Sequence, residues 1–243
     1  MRIEAVVTCV DYDDFLKVAL PYNLPHLDRV LVVTTPEDER TRHVCRRLGV
    51  ECLQSRDGTQ TKGEFHKGRL IERGLQQLSS DSWRLHIDAD IVLPNHFRRY
   101  LELAELHTEM IYGADRLLVR GWREWLRLLA TGYLHSGQHV YNCNLSFPSG
   151  FSIGSRWGGR NIGYVPIGFF QLWHSSQDEW SGIRSKPYPT KHGSACRTDV
   201  QHALQWDRAH RQLIPEFVCV HLESEPSPNG VNWRGRKTKR FEP

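Results

Sequence analysis

Residues 3–87 alternate short apolar runs with amphipathic stretches, and this alternation limits the folds that are open to the chain. The apolar runs predict buried strands at residues 3–10, 29–34, 50–53 and 83–87. The stretches between them carry helix signals, and Gly49 stands where a helix C-cap is expected. Strands that alternate with helices predict βαβ units, so we expect an α/β protein with a mainly parallel sheet.

The composition indicates a globular chain. It has 243 residues, of which 39% are hydrophobic and 25% are charged, and this suits one domain that buries a core without disulfides. No run approaches the roughly 18 apolar residues that span a bilayer, and Glu4 interrupts any leader-like segment. The six cysteines form no CxxC pair, which favours free thiols. We therefore expect a cytoplasmic location without a membrane segment.

Polar residues follow the predicted strands at the points where the strands end. Asp11, Thr34, Asp57 and Asp88 each stand at or just after a strand terminus. Because ligands of α/β sheets bind beyond the carboxyl ends of the strands, we expect these residues to share one crevice. Residues 133–196 are rich in Gly, Ser, Pro and aromatic residues, and they predict loops and short strands that form the opposite side of that crevice.

The clearest chemical motif is Asp88-Ala89-Asp90, which ends the fourth predicted strand. Two carboxylates two residues apart can both turn toward one divalent cation, which keeps positions open for phosphate oxygens. The alternative is a pair of acids that accept backbone hydrogen bonds in a turn. The order of strands and helices before the motif favours the cation site.

With this motif in this place, the chain resembles the GT-A nucleotide-sugar glycosyltransferases, particularly their family-2-like members. The resemblance covers residues 1–92 well and extends to residue 221. It implies a single Rossmann-like GT-A domain over residues 1–243. Its parts are a nucleotide-sugar-binding half at 1–92, an acceptor-side half at 93–223 and a basic C-terminal segment at 224–243. The implied activity moves a sugar from a nucleotide diphosphate sugar, with a UDP-sugar as expected donor and Mn²⁺ or Mg²⁺ as cofactor.

The resemblance also assigns residues to the donor. Asp88 would contact the ribose or the metal, and Asp90 would ligate the metal. Thr8 and Val10 would line the nucleobase site. Asp57 would accept a hydrogen bond from the uracil or the ribose.

Cations stand near the start of a helix predicted at residues 64–79. Lys67 and Arg69 lie close to its N-terminus, where a cation is unfavourable unless it faces an anion. The resemblance implies that this anion is the donor nucleotide. A solvated helix face is the alternative.

A histidine ends the late apolar strand at residues 217–221. Imidazole is a good Mn²⁺ ligand, and the resemblance implies that His221 completes the metal site, although a structural histidine is the alternative. Residues 224–243 hold five cations and two anions, so three of the four net positive charges lie there. We expect Arg236 and Lys237 to close over the donor diphosphate. A solvated basic tail is the alternative.

Asp199 begins a late predicted helix, directly after Thr198 at the expected N-cap position. The resemblance implies that Asp199 is the catalytic base that deprotonates the acceptor hydroxyl, and stabilisation of the helix dipole is the alternative. The family pattern is Glu-Asp, whereas this chain has Thr-Asp, so inversion and retention at the sugar both stay open. His174 and His192 are alternative proton acceptors.

Residues 120–129 predict an amphipathic helix, with Trp122, Leu126 and Leu129 near helical spacing and arginines elsewhere. We expect this apolar face to pack on the sheet. A groove for a polyanion is the alternative.

An aromatic stretch indicates how an acceptor would bind. Phe170, Trp173 and His174 are predicted to form the acceptor platform, since aromatic faces stack on sugars and bases, and core packing is the alternative. With the basic segment they suit a polyanion, and the chain resembles phage-type enzymes that glycosylate hydroxymethylated pyrimidines in DNA. The expected acceptor is a flipped-out 5-hydroxymethylpyrimidine in DNA, in the host-cell cytoplasm for a phage protein. A glycan or a protein is the alternative acceptor.

Two other classes of function remain open. A nucleotidyltransferase or metal nuclease would use Asp88 and Asp90, but the acidic segment at residues 11–14 would repel a triphosphate. A non-catalytic DNA-binding module would bind through the basic segment in a salt-sensitive way, without turnover.

Overall fold

The computed structural model describes residues 1–58, 65–135, 148–177, 179–180, 183–191, 195, 197–225, 232 and 234–243. Its strands are β1 (Ile3–Thr8), β2 (Arg29–Thr34), β3 (Glu51–Gln54), β4 (Trp83–Asp88), β5 (Ile91–Val92), β6 (Ile111–Arg120), β7 (Ser152–Ile153), β8 (Gly158–Gly159), β9 (Gly163–Tyr164), β10 (Phe170–His174), β11 (Glu179–Trp180), β12 (Ile183–Arg184) and β13 (Arg211–Glu223). Its helices are α1 (Asp13–Asn23), α2 (Glu39–Leu48), α3 (Lys67–Leu75), α4 (Phe97–Leu103), α5 (Gly121–Ala130) and α6 (Thr198–Ala203). The four strands predicted in the first part of the chain are β1 to β4.

Within the described residues, nine strands form one sheet in the order β3-β2-β1-β4-β10-β6-β13-β5, with β7 paired to β6. Strands β3, β2, β1, β4, β6 and β13 run in one direction, and β10, β5 and β7 run against them. The prediction of an α/β protein with a mainly parallel sheet is therefore confirmed. The division of the chain at residues 92 and 223 stays a prediction.

Strand β1 shows why the apolar runs become buried strands. All six of its residues are buried. Ala5 and Val7 belong to a core cluster on one face of the sheet, and Val6 packs with Leu70 and Ile71 of α3 on the other. A parallel strand that is covered on both faces needs apolar side chains at successive positions, which the unbroken run supplies.

Helix α2 ends where its sequence signal predicts. The carboxylate of Asp38, its N-cap, accepts a hydrogen bond from the backbone amide of Thr41 at 3.1 Å. Gly49 is the C-cap and adopts a left-handed φ of 65°, which glycine tolerates without a steric penalty. The expected C-cap is confirmed.

Helix α5 forms as predicted, and the expected packing face was right in part: Trp122 and Leu129 pack against a core cluster, but Leu126 does not. Trp125 and Leu128 are its buried residues, whereas Leu126 is 50% exposed. The indole of Trp125 packs edge-on against Tyr22 of α1, with ring centroids 5.7 Å apart. This contact with a helix about a hundred residues earlier in the chain sets the rotation of α5, and local periodicity contains no information about it.

Two further expectations concern the chain as a whole. No helix in the described ranges is long and apolar enough to cross a membrane. Cys9, Cys45, Cys52 and Cys219 are free thiols, as predicted. Cys143 and Cys196 lie outside the described residues.

Candidate active site

A cavity of about 780 Å³ opens where β1 and β4 end, at the carboxyl edge of the parallel strands. Eight of the predicted site residues line it: Thr8, Val10, Lys67, Asp88, Asp90, Asp199, His221 and Arg236. Asp11 lies there too, as the crevice prediction requires, but Thr34 does not: it is fully buried and its hydroxyl donates to Asp38. The cavity is therefore built from residues that are more than 200 positions apart in the sequence.

Lys67 and Asp88 form an ion pair on one wall of the cavity. Lys67 is the first residue of α3, and the absence of a side chain at Gly68 lets this helix end approach Pro189 and Thr198 of α6. Burial raises the pKa of Asp88 to about 6; the charge of Lys67 opposes this shift and the charge of Asp90 adds to it. Lys67 therefore neutralises the first carboxylate of the acidic motif in this structure.

Asp90 and His221 form the second polar pair in the cavity. Strand β13 pairs with β5 in antiparallel register, so His221 lies opposite Ile91, directly after Asp90. The Nε2 atom of His221 is 3.4 Å from Oδ2 of Asp90. Oδ1 of Asp90 and Nδ1 of His221 are buried without a hydrogen-bond partner in the described part of the chain. An acceptor atom that is buried and unsatisfied favours a missing cation or donor.

These residues fit a divalent cation only in part. Among the described residues, no three His, Cys, Asp or Glu side chains converge as a ready metal cluster. Asp90 and His221 supply an oxygen and a nitrogen ligand at adjacent positions, while Asp88 is engaged by Lys67. Mg²⁺ and Mn²⁺ are commonly held by one or two protein ligands with phosphate oxygens completing the shell, and this pair meets that requirement.

Asp199 lies across the cavity, in the first turn of α6. Its Oδ2 accepts a hydrogen bond from the backbone amide of Gly168, and a Cβ at that glycine would lie 2.7 Å from the Cβ of Asp199. Only a residue without a side chain allows this contact. The expected N-cap was wrong: Arg197, in a left-handed conformation with φ 64°, is the N-cap, and Thr198 donates to the carbonyl oxygen of Ala195.

The predicted acceptor platform was wrong. Phe170 and Trp173 are fully buried in the two core clusters on opposite faces of the sheet, so neither can stack on a ligand. Strand β10 runs antiparallel to β4, and therefore His174 pairs with Trp83 at the opposite edge of the sheet. There His174 lies 3.7 Å from Asp81. His192 lies outside the described residues.

Three predicted donor-binding residues do not line the cavity. Asp57 accepts a hydrogen bond from Ser55 and lies 3.7 Å from Arg73, because β3 is the edge strand farthest from β4 on that side. Arg69 donates to the carbonyl oxygen of Thr190. Lys237 is exposed, and its backbone amide donates a hydrogen bond to the side-chain oxygen of Asn232.

Arg236 lines the cavity, but its charge is paired with an acid of the protein itself. Its guanidinium binds the carboxylate of Asp14 through two contacts of 2.5 and 2.7 Å, and it also donates to the carbonyl oxygen of Asp11. Arg240 pairs with Asp13, and Phe241 is buried against Phe15. The described part of the C-terminal segment is thus docked on α1.

Sequence reasoning did not assign Trp157 to the site, and it left open whether Arg116 touches the sugar or pairs with Asp115. The guanidinium carbon of Arg116 lies 4.6 Å above the ring of Phe169, and its Nε is buried without a hydrogen-bond partner in the described structure. Trp157 lines the same part of the cavity and is 42% exposed. In the structure Asp115 pairs with Arg156, and Arg116 lines the cavity.

This architecture is the GT-A fold, as the sequence predicted. The chain is similar to glucosyl-3-phosphoglycerate synthase from Mycobacterium tuberculosis. With the complex containing UDP, the TM-score is 0.51 at 13% identity, over 95% of this chain and 73% of the other. With the complex containing Mn²⁺, UDP-glucose and phosphoglyceric acid, it is 0.50 at 14% identity, over 91% and 70%.

A third structure of the same synthase, with Mn²⁺, UDP and phosphoglyceric acid, aligns over 47% of this chain and 43% of its own, at 17% identity and a TM-score of 0.36. No protein-family model and no curated protein sequence matches the chain. The similarity therefore defines the fold.

Proposed function

We propose that this protein is a metal-dependent glycosyltransferase that uses a nucleotide diphosphate sugar, with UDP as the nucleotide. The observation that carries the proposal is the placement of Asp90 and His221 in a large cavity at the carboxyl edge of a GT-A sheet. The similar synthase was crystallised with UDP and with Mn²⁺ and UDP-glucose, which supports the same donor class here.

Asp90 and His221 would hold Mn²⁺ or Mg²⁺. Asp88 would either accept a hydrogen bond from the ribose or act as a further ligand of the metal. When bound, the cation neutralises charge that grows on the leaving diphosphate. Thr8 and Val10 would contact the nucleobase, since they lie at the end of β1 beside the acidic motif.

Titration calorimetry with UDP, with and without Mn²⁺, tests the donor site. Tight binding that requires the metal supports the proposal and excludes a purely DNA-binding module. Transfer from UDP-sugars, measured as UDP release, tests the chemistry. Release of pyrophosphate from a nucleoside triphosphate and a sugar phosphate would instead establish a nucleotidyltransferase.

We propose Asp199 as the base that takes the proton of the acceptor hydroxyl. Its carboxylate lies in the cavity, and the Gly168 amide orients it. Asp199→Asn keeps the hydrogen-bond acceptor but loses basicity. We expect kcat for transfer to fall by about 10²- to 10⁴-fold with donor affinity unchanged.

The matched control is Asp207→Asn, at an exposed position shortly after the same helix. It is expected to transfer at the wild-type rate. Full activity of Asp199→Asn would contradict the base assignment and favour a retaining reaction without a protein base.

The residues that favoured a DNA acceptor have other roles in the structure. Phe170 and Trp173 are in the core, and Arg236 and Arg240 are paired with acids of α1. We therefore propose a small acidic acceptor in place of a 5-hydroxymethylpyrimidine in DNA. Arg116 supports this, because a partly desolvated guanidinium in the cavity favours an anionic ligand. The similar synthase was crystallised with phosphoglyceric acid and with glycerol 3-phosphate.

Arg116→Gln tests this acceptor class. Because a hydrogen bond to a charged group contributes about 1.5–3 kcal/mol, KM for an acidic acceptor should rise by roughly 10- to 100-fold, with UDP affinity unchanged. Arg160→Gln, at an exposed position after β8, is the control. Loss of UDP affinity in Arg116→Gln would instead assign this cation to the donor diphosphate. Transfer to hydroxymethylated duplex DNA, measured by nucleoside mass spectrometry, would restore the DNA acceptor.

A further inference from the structure

A chain of buried polar side chains connects the strand of the acidic motif with the helix that carries Asp199. It consists of His86 on β4, Gln171 on β10, Tyr188 in the loop before α6, and His202 on α6. Tyr188 is 1% exposed and the other three are 0% exposed. Polar groups at this depth need partners, so their hydrogen bonds define one arrangement of the surrounding elements.

Gln171 is the branch point of this chain. Its Nε2 donates to the backbone carbonyl oxygens of Pro166 and Asp199, each at 2.9 Å. Two acceptors on one side fix the orientation of the amide. Its Oε1 must then accept from the hydroxyl of Tyr188 at 2.6 Å and from Nδ1 of His202 at 3.2 Å. Both N–H donors and both acceptor lone pairs of the Gln171 amide are therefore used.

The hydroxyl of Tyr188 carries the connection on to β4. Because its only hydrogen points at Gln171, its oxygen accepts from Nδ1 of His86 at 3.1 Å. His86 lies two residues before Asp88 on the strand, and its Nε2 is 3.7 Å from Oδ1 of that carboxylate. The ring of Tyr188 also stacks on His202, with centroids 4.2 Å apart.

We propose that Gln171 is a positioning residue for Asp199. It anchors the backbone of Asp199 to β10 and, through Tyr188, to β4, so that the carboxylate stays against the Gly168 amide and faces the reacting groups. The inference rests on the proposed function only where Asp199 is taken as the base. The anchoring itself follows from the hydrogen bonds.

Gln171→Met removes all four hydrogen bonds while nearly keeping the side-chain volume. Since a small misplacement of a reacting group costs up to roughly 100-fold in rate, kcat should fall by about 10- to 100-fold. KM for the UDP-sugar and affinity for UDP with Mn²⁺ should stay within about twofold, because Gln171 makes no hydrogen bond to Asp88, Asp90 or His221 in the described structure. The Gly168 amide should exchange its hydrogen at least about tenfold faster by NMR, since its bond to Asp199 loosens.

Ser175→Ala is the matched control. Ser175 is also fully buried on the same chain segment and makes two hydrogen bonds, to Ser80 and Ser82, at the opposite edge of the sheet. It should lower Tm without changing kcat or Gly168 exchange. Tyr188→Phe, which keeps the bond from Gln171 to Asp199, should give a smaller effect of the same kind and replaces Gln171→Met if that variant does not fold.

The proposal would be overturned if Gln171→Met lowered Tm but left kcat and the hydrogen exchange of the Gly168 amide unchanged. The buried hydrogen-bonded side chains would then only stabilise the core. If the wild-type protein transfers no sugar, the proposed function fails. The hydrogen exchange of the Gly168 amide then tests by itself whether Gln171 anchors Asp199. Faster exchange in Gln171→Met than in Ser175→Ala supports the anchoring, and equal exchange overturns it.

Discussion

Replacing Asp90 with alanine is expected to abolish Mn²⁺-dependent binding of UDP and to lower sugar transfer by at least about 100-fold. Asp90 and His221 are the pair that would hold the cation, and a bound metal supplies several kcal/mol of charge stabilisation at the leaving diphosphate. Calorimetry with UDP and Mn²⁺, together with UDP release in the presence of an acceptor, measures both effects.

The same substitution should not lower the thermal stability of the metal-free protein. Oδ1 of Asp90 is buried without a hydrogen-bond partner in the described structure, and its charge raises the pKa of Asp88. Removing it therefore relieves an unfavourable burial. An unchanged or higher Tm separates loss of the metal site from misfolding.

Asp81→Ala is the control for Asp90→Ala, because that carboxylate is 95% exposed at the opposite edge of the sheet. It should bind UDP and Mn²⁺ like the wild-type protein. If Asp90→Ala kept metal-dependent UDP binding, the metal would have to lie elsewhere, and the proposed donor site would be wrong.

Replacing Arg236 with leucine is expected to destabilise the protein by about 3–5 kcal/mol and to lower Tm by roughly 10 °C. Its partner Asp14 is fully buried, and the Arg236 side chain is 5% exposed. A buried carboxylate that loses its partner keeps the desolvation penalty without compensation. Thermal and urea unfolding measure the effect, and weaker UDP binding should accompany it because Arg236 lines the cavity.

Two variants show that the buried pair is responsible. The double variant Asp14→Leu, Arg236→Leu should recover most of the lost stability, since well-packed apolar residues replace buried ion pairs at little cost. Arg46→Leu breaks an exposed ion pair with Glu39 and should leave stability nearly unchanged. An equal loss in Arg46→Leu and Arg236→Leu would contradict the argument.

The pH dependence should reverse between the wild-type protein and Arg236→Leu. Burial opposes ionisation of Asp14, but hydrogen bonds from Arg236 and from the Phe241 amide hold its pKa below the ordinary 3.8. The wild-type pair therefore stabilises above about pH 4 and is lost as the pH falls through the lowered pKa. Without Arg236 burial raises that pKa, so the stability deficit of the variant should shrink as the medium is acidified. Urea midpoints between pH 7 and pH 3.5 measure this.

The sequence predicted those parts of the site that depend on local order. Asp88 and Asp90 end a buried strand, and Lys67 begins the helix before it, so their place at the carboxyl edge follows from the βαβ pattern. His221 was found in the same way, as the polar residue near the end of an apolar run. An apolar strand with a polar residue at its end is defined by neighbouring residues alone, and these positions could therefore be predicted from the sequence.

The N-cap of α6 was a local error of one position, and the larger errors concern contacts between distant segments. The direction of β10 decides that Phe170 and Trp173 are buried and that His174 lies at the far edge, and nothing within residues 168–174 specifies that direction. Arg236 was predicted to face the donor, but it binds Asp14 instead. That partner is 222 positions away in the sequence, so nothing near Arg236 indicates the pairing. A charge run in a sequence does not show which of its members an acid elsewhere will neutralise.

The sequence by itself determined the class of fold and the place of the acidic motif at the end of a buried strand, because hydrophobic periodicity and strand-end polarity are properties of short segments. Only the tertiary structure decided that Arg116 and Trp157 line the cavity, that Gln171 holds Asp199, and that the basic segment is docked on α1. The physical reason is that strand order, helix rotation and buried ion pairs depend on packing free energies summed over residues that are far apart along the chain.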